Sequence, residues 1–266
     1  MAARGSKGAG GAVRSYWTTS RAPRYSIVFA LPLLLLYEGL AAAIGDTPGA
    51  ANVRNAADVA LKTPFYLLSG ARGSLAFFAT TIAICIFLVA RDLKRSKEGL
   101  RPRTFLLMLG ESTVLALLLG VVVGTITREL LGALSAHVPF TIQRAQPGAG
   151  PQPLSKMGTG TKLMLALGAG LYEELLFRVL LVGGLAAGLG WLWGKRTVLT
   201  NVVAAVVGAL IFSAFHYVGA YGDRLELASF TYRTIAGLAF SALYLTRGFG
   251  ITAWTHALYD VYVMVL

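Results

Sequence analysis

Seven stretches of this chain are apolar over about the length of a bilayer crossing, and they constrain the fold more than any motif. They are 26–44, 74–90, 104–127, 163–187, 198–216, 230–246 and 251–266. The hydrocarbon core asks for roughly 17–25 such residues per helix. Lipid offers backbone groups no hydrogen-bond partners, so only helices or closed barrels span it. The alternating segments of about ten residues that build a barrel are not seen. The expected fold is all-α, a polytopic transmembrane helical bundle of about seven spans. Composition agrees, with 56% hydrophobic and 14% charged residues, against roughly 45–50% and 25% in soluble domains. Mean hydropathy is +0.65. A soluble enzyme and a disordered chain are both excluded on these numbers.

The 24 Lys and Arg against 12 Asp and Glu sit mainly in short segments between the apolar runs. Anionic lipid headgroups and orientation explain that placement, and nucleic acid is not the expected partner. Residues 1–25 carry Arg4, Lys7, Arg14, Arg21 and Arg24 with no acid and read as a flexible basic cytoplasmic tail. Residues 26–266 form one transmembrane helical domain, with a motif-bearing core over about 160–262. The first run resembles a signal peptide in length, but Glu38 within it and the long basic segment before it favour an uncleaved helix. The connection 91–103 has six basic residues against Asp92 and Glu98, which places it in the cytoplasm. Lys195, Arg196 and Arg247 fall in loops assigned to the same side, and Trp191 and Trp193 fit an interfacial belt. The longer connections 46–73, 128–162 and 217–229 then fall outside. Pro147, Pro151 and Pro153 make the middle one irregular. This layout predicts an integral protein of a bacterial inner (plasma) membrane with a cytoplasmic N-terminus. The one cysteine, Cys85, lies inside an apolar run and reads as a packing residue.

Ionisable groups inside apolar runs are costly and mark function by default. Here they are Glu38, Glu111, Glu173, Glu174, Arg178, His216, His256 and Asp260. Glu38 and Glu111 are isolated acids, read as interhelical polar contacts. Glu173 and Glu174 differ, being adjacent carboxylates in mid-run with Arg178 four residues after the second. That spacing lets Glu174 pair with Arg178. Glu173 projects about 100° away, so one arginine does not serve both. A desolvated, unpaired carboxylate beside another is the condition for a general base. Of three histidines, His137 falls in the middle outer loop and reads as solvated. His216 closes the fifth run, and His256 shares a helical face with Asp260 four residues on. A base, two imidazoles, a second acid and a fixed cation suit water activation and stabilisation of an oxyanion.

With these residues the sequence resembles the CPBP family of intramembrane proteases. That family includes the type 2 CAAX prenyl proteases of the Ras-converting kind and the Abi proteins. The family pattern EExxxR, FxxxH and HxxxN or HxxxD reads here as Glu173-Glu174 to Arg178, Phe212 to His216, and His256 to Asp260. The resemblance implies an endopeptidase acting on a membrane-anchored protein or peptide. Glu173 with His216 would activate water, Glu174 and Arg178 would shape and charge-balance the site, and His256 with Asp260 would face the oxyanion. Asp260 departs from the commoner Asn. An ionised Asp repels an oxyanion, so Asp260 is protonated, orients His256, or ligates a metal. The family is described both as metalloproteases and as metal-independent glutamate proteases. A zinc ion would fall to His216, His256 and Glu173, although no HExxH helix is present. Two rival readings are a non-catalytic membrane scaffold or bacteriocin-immunity protein, and a proton-coupled transporter. Counting 1.5 Å per residue along straight helices puts the two histidines roughly 15 Å apart in depth.

Overall fold

The computed structural model describes residues 16–45, 53–96, 98–135, 157–219 and 222–266. His137 and the three prolines of the middle outer loop lie outside the described residues. The elements are α1 (Pro23–Gly45), α2 (Ala56–Ser69), α3 (Gly73–Ser96), α4 (Pro102–Ser135), α5 (Thr159–Leu192), α6 (Val198–Phe215), α7 (Leu227–Arg247) and α8 (Phe249–Met264). No strand occurs among the described residues. The chain is an all-helical, polytopic membrane bundle. Helices α1, α4, α5 and α6 are each long and apolar enough to cross a membrane, as is the segment Ala56–Ser96, in which the chain turns at Gly70 (φ 56°) and α3 packs back on α2, with Phe65 and Phe77 5.4 Å apart. Large apolar side chains such as Ile86, Phe87, Leu106 and Val121 are exposed on α3 and α4, where lipid replaces water as the solvent.

The bundle is built around α1, α5 and α8. Leu33 and Tyr37 of α1, Met164 and Tyr172 of α5, and Ala253 and Ala257 of α8 form one buried cluster with Phe77 of α3. The approach of α5 to α8 depends on Gly170. A Cβ there would stand 2.4 Å from the Ala253 carbonyl oxygen and 2.6 Å from the Ala257 nitrogen. Small residues at such crossings let membrane helices pack backbone to backbone. Over Ala169–Val182 the α5 backbone widens into a π-helix, a form found mostly at functional sites.

Three features differ from the sequence expectation. The connection 46–73 contains a helix, α2, because Asn55 caps its first turn. The Asn55 carboxamide oxygen accepts from the N–H of Ala57 at 2.9 Å and of Asp58 at 3.4 Å, as an N-cap does. Part of the basic tail is also folded, since residues 16–20 are helical and Arg24 and Tyr25 are buried in α1. Finally, Arg247, read as a loop residue, ends α7 and is buried inside the protein. It lies between Glu111 of α4, at 2.6 and 2.7 Å, the Ser20 hydroxyl and the Trp17 carbonyl. Glu111 thereby takes the interhelical structural role expected of it, with Tyr16 also donating to its Oε2 at 2.6 Å.

The chain turns from α7 into α8 at a single residue, Gly248, whose φ of 83° belongs to the left-handed region that glycine tolerates. Arg247 before it and Gly250 after it are buried, so the first turn of α8 packs inside the protein.

Candidate active site

The motif residues come from α5, α6 and α8 and meet around one aromatic ring. Phe212 of α6 lies 4.3 Å below the Arg178 guanidinium carbon, 4.9 Å from the His216 ring and 6.4 Å from the His256 ring. A side chain that touches both imidazoles removes the 15 Å separation expected from straight-helix counting. Two features bring them together. Helix α8 packs backbone to backbone on α5 at Gly170, and His216 sits in the turn that ends α6.

Glu174 is the innermost acid, with no exposed surface. Its Oε1 accepts from His256 Nδ1 at 2.7 Å, and its Oε2 faces Arg178 Nε at 3.1 Å. The i,i+4 pairing expected on α5 is present, and the same carboxylate also reaches across to α8. Arg178 is 1% exposed, and its two terminal nitrogens have no protein hydrogen-bond partner among the described residues. They lie instead over the rings of Phe212 and, at 5.3 Å, Phe240. Aromatic faces attract a desolvated cation. Phe240 also stacks on the His256 imidazole, with centroids 4.3 Å apart and planes 23° from parallel.

Glu173 points elsewhere, as its 100° offset requires. It is half-buried, and its Oε1 accepts from Asn55 Nδ2 at 2.9 Å. His216 is also half-buried and its Nδ1 lies 2.9 Å from the Phe212 carbonyl oxygen. A carbonyl only accepts, so Nδ1 carries the hydrogen and Nε2 the lone pair. The backbone of His216 is fixed in turn by the Asp223 N–H, which donates to its carbonyl at 2.9 Å. Asp223 itself is paired with Arg233 of α7.

Asp260 follows His256 by one helical turn. Its Oδ2 is 3.6 Å from His256 Nε2 and its side chain is one-fifth exposed. Next to it, the hydroxyls of Tyr232 and Tyr259 are hydrogen-bonded to each other. The six motif residues therefore fall into two groups. Glu174, Arg178 and His256 form a buried inner layer, and Glu173, His216 and Asp260 form an accessible face over it.

Among the described residues no three His, Cys, Asp or Glu side chains gather as a metal ion requires. Nδ1 of each imidazole is committed, to Glu174 and to the Phe212 carbonyl, so Nε2 is the nitrogen each ring presents to the site.

Two site residues lie outside every motif. Asn55 sits in what reads as a loop, and its only sequence signal is an Asn three residues before Asp58 at the start of an amphipathic segment. Phe240 gives no signal, since one apolar residue in an apolar run looks like any other.

Comparison with known proteins gives one match. Residues 158–262 match the family described as type II CAAX prenyl endopeptidase Rce1-like. That segment coincides with the motif-bearing core expected over about 160–262. No curated protein and no solved structure matches the chain.

Proposed function

We propose that this chain, Rce1-like over residues 158–262, is an intramembrane endopeptidase that hydrolyses a peptide bond of a membrane-anchored protein or peptide. The observation that carries the reading is the convergence of Arg178, His216 and His256, from three helices, on the ring of Phe212.

The attacking water lies between Glu173 and His216. Asn55 occupies Oε1 of Glu173, leaving Oε2 as the oxygen facing the water, while His216 Nε2 offers its lone pair. Glu173 takes the proton, directly or through His216, and the hydroxide adds to the scissile carbonyl. Negative charge then develops on the carbonyl oxygen. His256, with Nδ1–H held by the Glu174 carboxylate, donates to that oxygen from Nε2–H when it is an imidazolium. Arg178 balances Glu174 and takes no part in proton transfer. Asp260, beside His256 Nε2, orients the ring, which suits an acid where an oxyanion donor would be Asn. The proton held at Glu173 or His216 finally passes to the departing amine, closing the proton balance.

The test is mass spectrometry of membrane-peptide fragments from cells carrying wild-type protein or Glu173→Gln. The proposal expects fragments present with wild type and absent with Glu173→Gln at equal protein level. Identical profiles would overturn it, and loss of ion flux with no peptide product would favour the transporter reading.

A further inference from the structure

Asn55 precedes the matched segment by about a hundred residues, yet it makes the one hydrogen bond to Glu173 among the described residues. Its surroundings hold it rigidly. The side-chain oxygen accepts two N–H groups of the first turn of α2. Those donors require an acceptor, so the amide orientation is decided, and Nδ2 must face away from α2 toward Glu173. The Asn55 backbone N–H donates to the Tyr37 hydroxyl at 3.3 Å, and Tyr37 donates to Asp58 Oδ2 at 2.8 Å.

The helix that carries Asn55 is itself tied down. Lys62 Nζ bridges Asp58 at 2.6 Å and Glu38 at 2.9 Å. Tyr172, the residue before Glu173, donates to the same Glu38 oxygen at 2.6 Å. Thus α2 is fastened to α1 and to α5 immediately beside the acid that it touches.

We infer that Asn55 is a positioning residue for Glu173, its carboxamide capping α2 with one atom and pinning Glu173 Oε1 with the other. The residue type follows from this double task. Ser, Asp and Asn cap a helix about equally well. Among them only Asn has an acceptor and an N–H donor on one rigid group. A carboxylate held by one oxygen cannot swing, and its second oxygen keeps one direction toward the water. This inference rests on the reading of Glu173 as the water-activating base.

The experiment separates the two tasks of Asn55. Asn55→Ser keeps the cap and removes the donor. Asn55→Asp keeps the cap and sets a carboxylate against Glu173. Asn55→Ala removes both. Each is compared with wild type and Glu173→Gln in proteoliposomes. The probe is a donor–quencher peptide spanning the bond whose cell fragments depend on Glu173, and unfolding is measured in parallel. The expected result for Asn55→Ser is near wild-type unfolding, KM within about twofold, and kcat lower by about 10²-fold, the scale of a misplaced reacting group. Asn55→Asp should lose at least as much, and it carries the test if the Ser variant does not fold. Wild-type kcat in both, with only Asn55→Ala unstable, would overturn the inference and leave a plain helix cap. If no fragment depends on Glu173 at all, the proposed function fails and this inference fails with it.

Discussion

Arg178→Met leaves a carboxylate in the bundle interior without its cation, and the structure sets the size of that effect. Glu174 has no exposed surface and Arg178 almost none, so solvent does not screen the loss. Removing one partner of a buried pair costs about 3–5 kcal/mol. Met still fills the space over Phe212 and Phe240, so little packing is lost and the cost is electrostatic. Glu174→Gln alone leaves the guanidinium uncompensated and should cost a similar amount. The double variant Glu174→Gln/Arg178→Met removes both charges, and the Gln carbonyl still accepts from His256 Nδ1. It should return to within about 1 kcal/mol of wild type, because a buried pair replaced as a whole is close to neutral. Reversible unfolding in mixed micelles, arranged as a double-mutant cycle, reads the coupling directly. All three variants should be inactive. Additive losses in the double variant, or wild-type stability in either single one, would refute the view of Glu174 and Arg178 as one buried ion pair.

Other substitutions probe the scaffold. Gly170→Ala should cost about 1–3 kcal/mol, the usual effect of overpacking, because its Cβ meets the backbone of α8 and not a movable side chain. Activity should fall with it as Glu173 and Glu174 move from His256, measured as kcat per folded molecule. Arg247→Lys loses the two-pronged bond to Glu111 that only a guanidinium makes. Limited proteolysis should then cut near residues 16–20, which wild type protects. Lys62→Met removes the ammonium between Asp58 and Glu38 but leaves Arg54 facing both, so it should destabilise by about 1–3 kcal/mol, with faster hydrogen exchange confined to α2.

The bundle was legible because span length is a property of the apolar runs themselves. So were two pairings of the site, since i,i+4 spacing alone places Glu174 against Arg178 and His256 against Asp260, though not the bond from His256 to Glu174 that joins them. The separate directions of Glu173 and Glu174 were equally plain from helix geometry, and the structure sends one to Asn55 and the other to His256. Helix α2 was not legible. Its Asp58, Lys62 and Pro64 resemble loop composition, and although Asp58 and Lys62 pair with each other, the Glu38 and Tyr37 side chains that complete the cluster come from α1. The position of His256 was hidden for a similar reason. It depends on α8 packing on α5 at Gly170 and on the bond from His256 to Glu174, 82 residues away along the chain, contacts no local pattern announces. Phe240 shows the same limit, because its stacking on His256 depends on the packing of α7 against α8.

Glu173 as the base that activates water is the claim on which the chemistry stands. The direct measurement is single-turnover hydrolysis of the quenched peptide by purified wild-type protein and Glu173→Gln, with unfolding of both recorded in the same lipid. A rate lower by about 10²–10⁴-fold, the usual share of a general base, in a variant that unfolds like wild type, is the predicted result. Equal rates for the two folded proteins would contradict it.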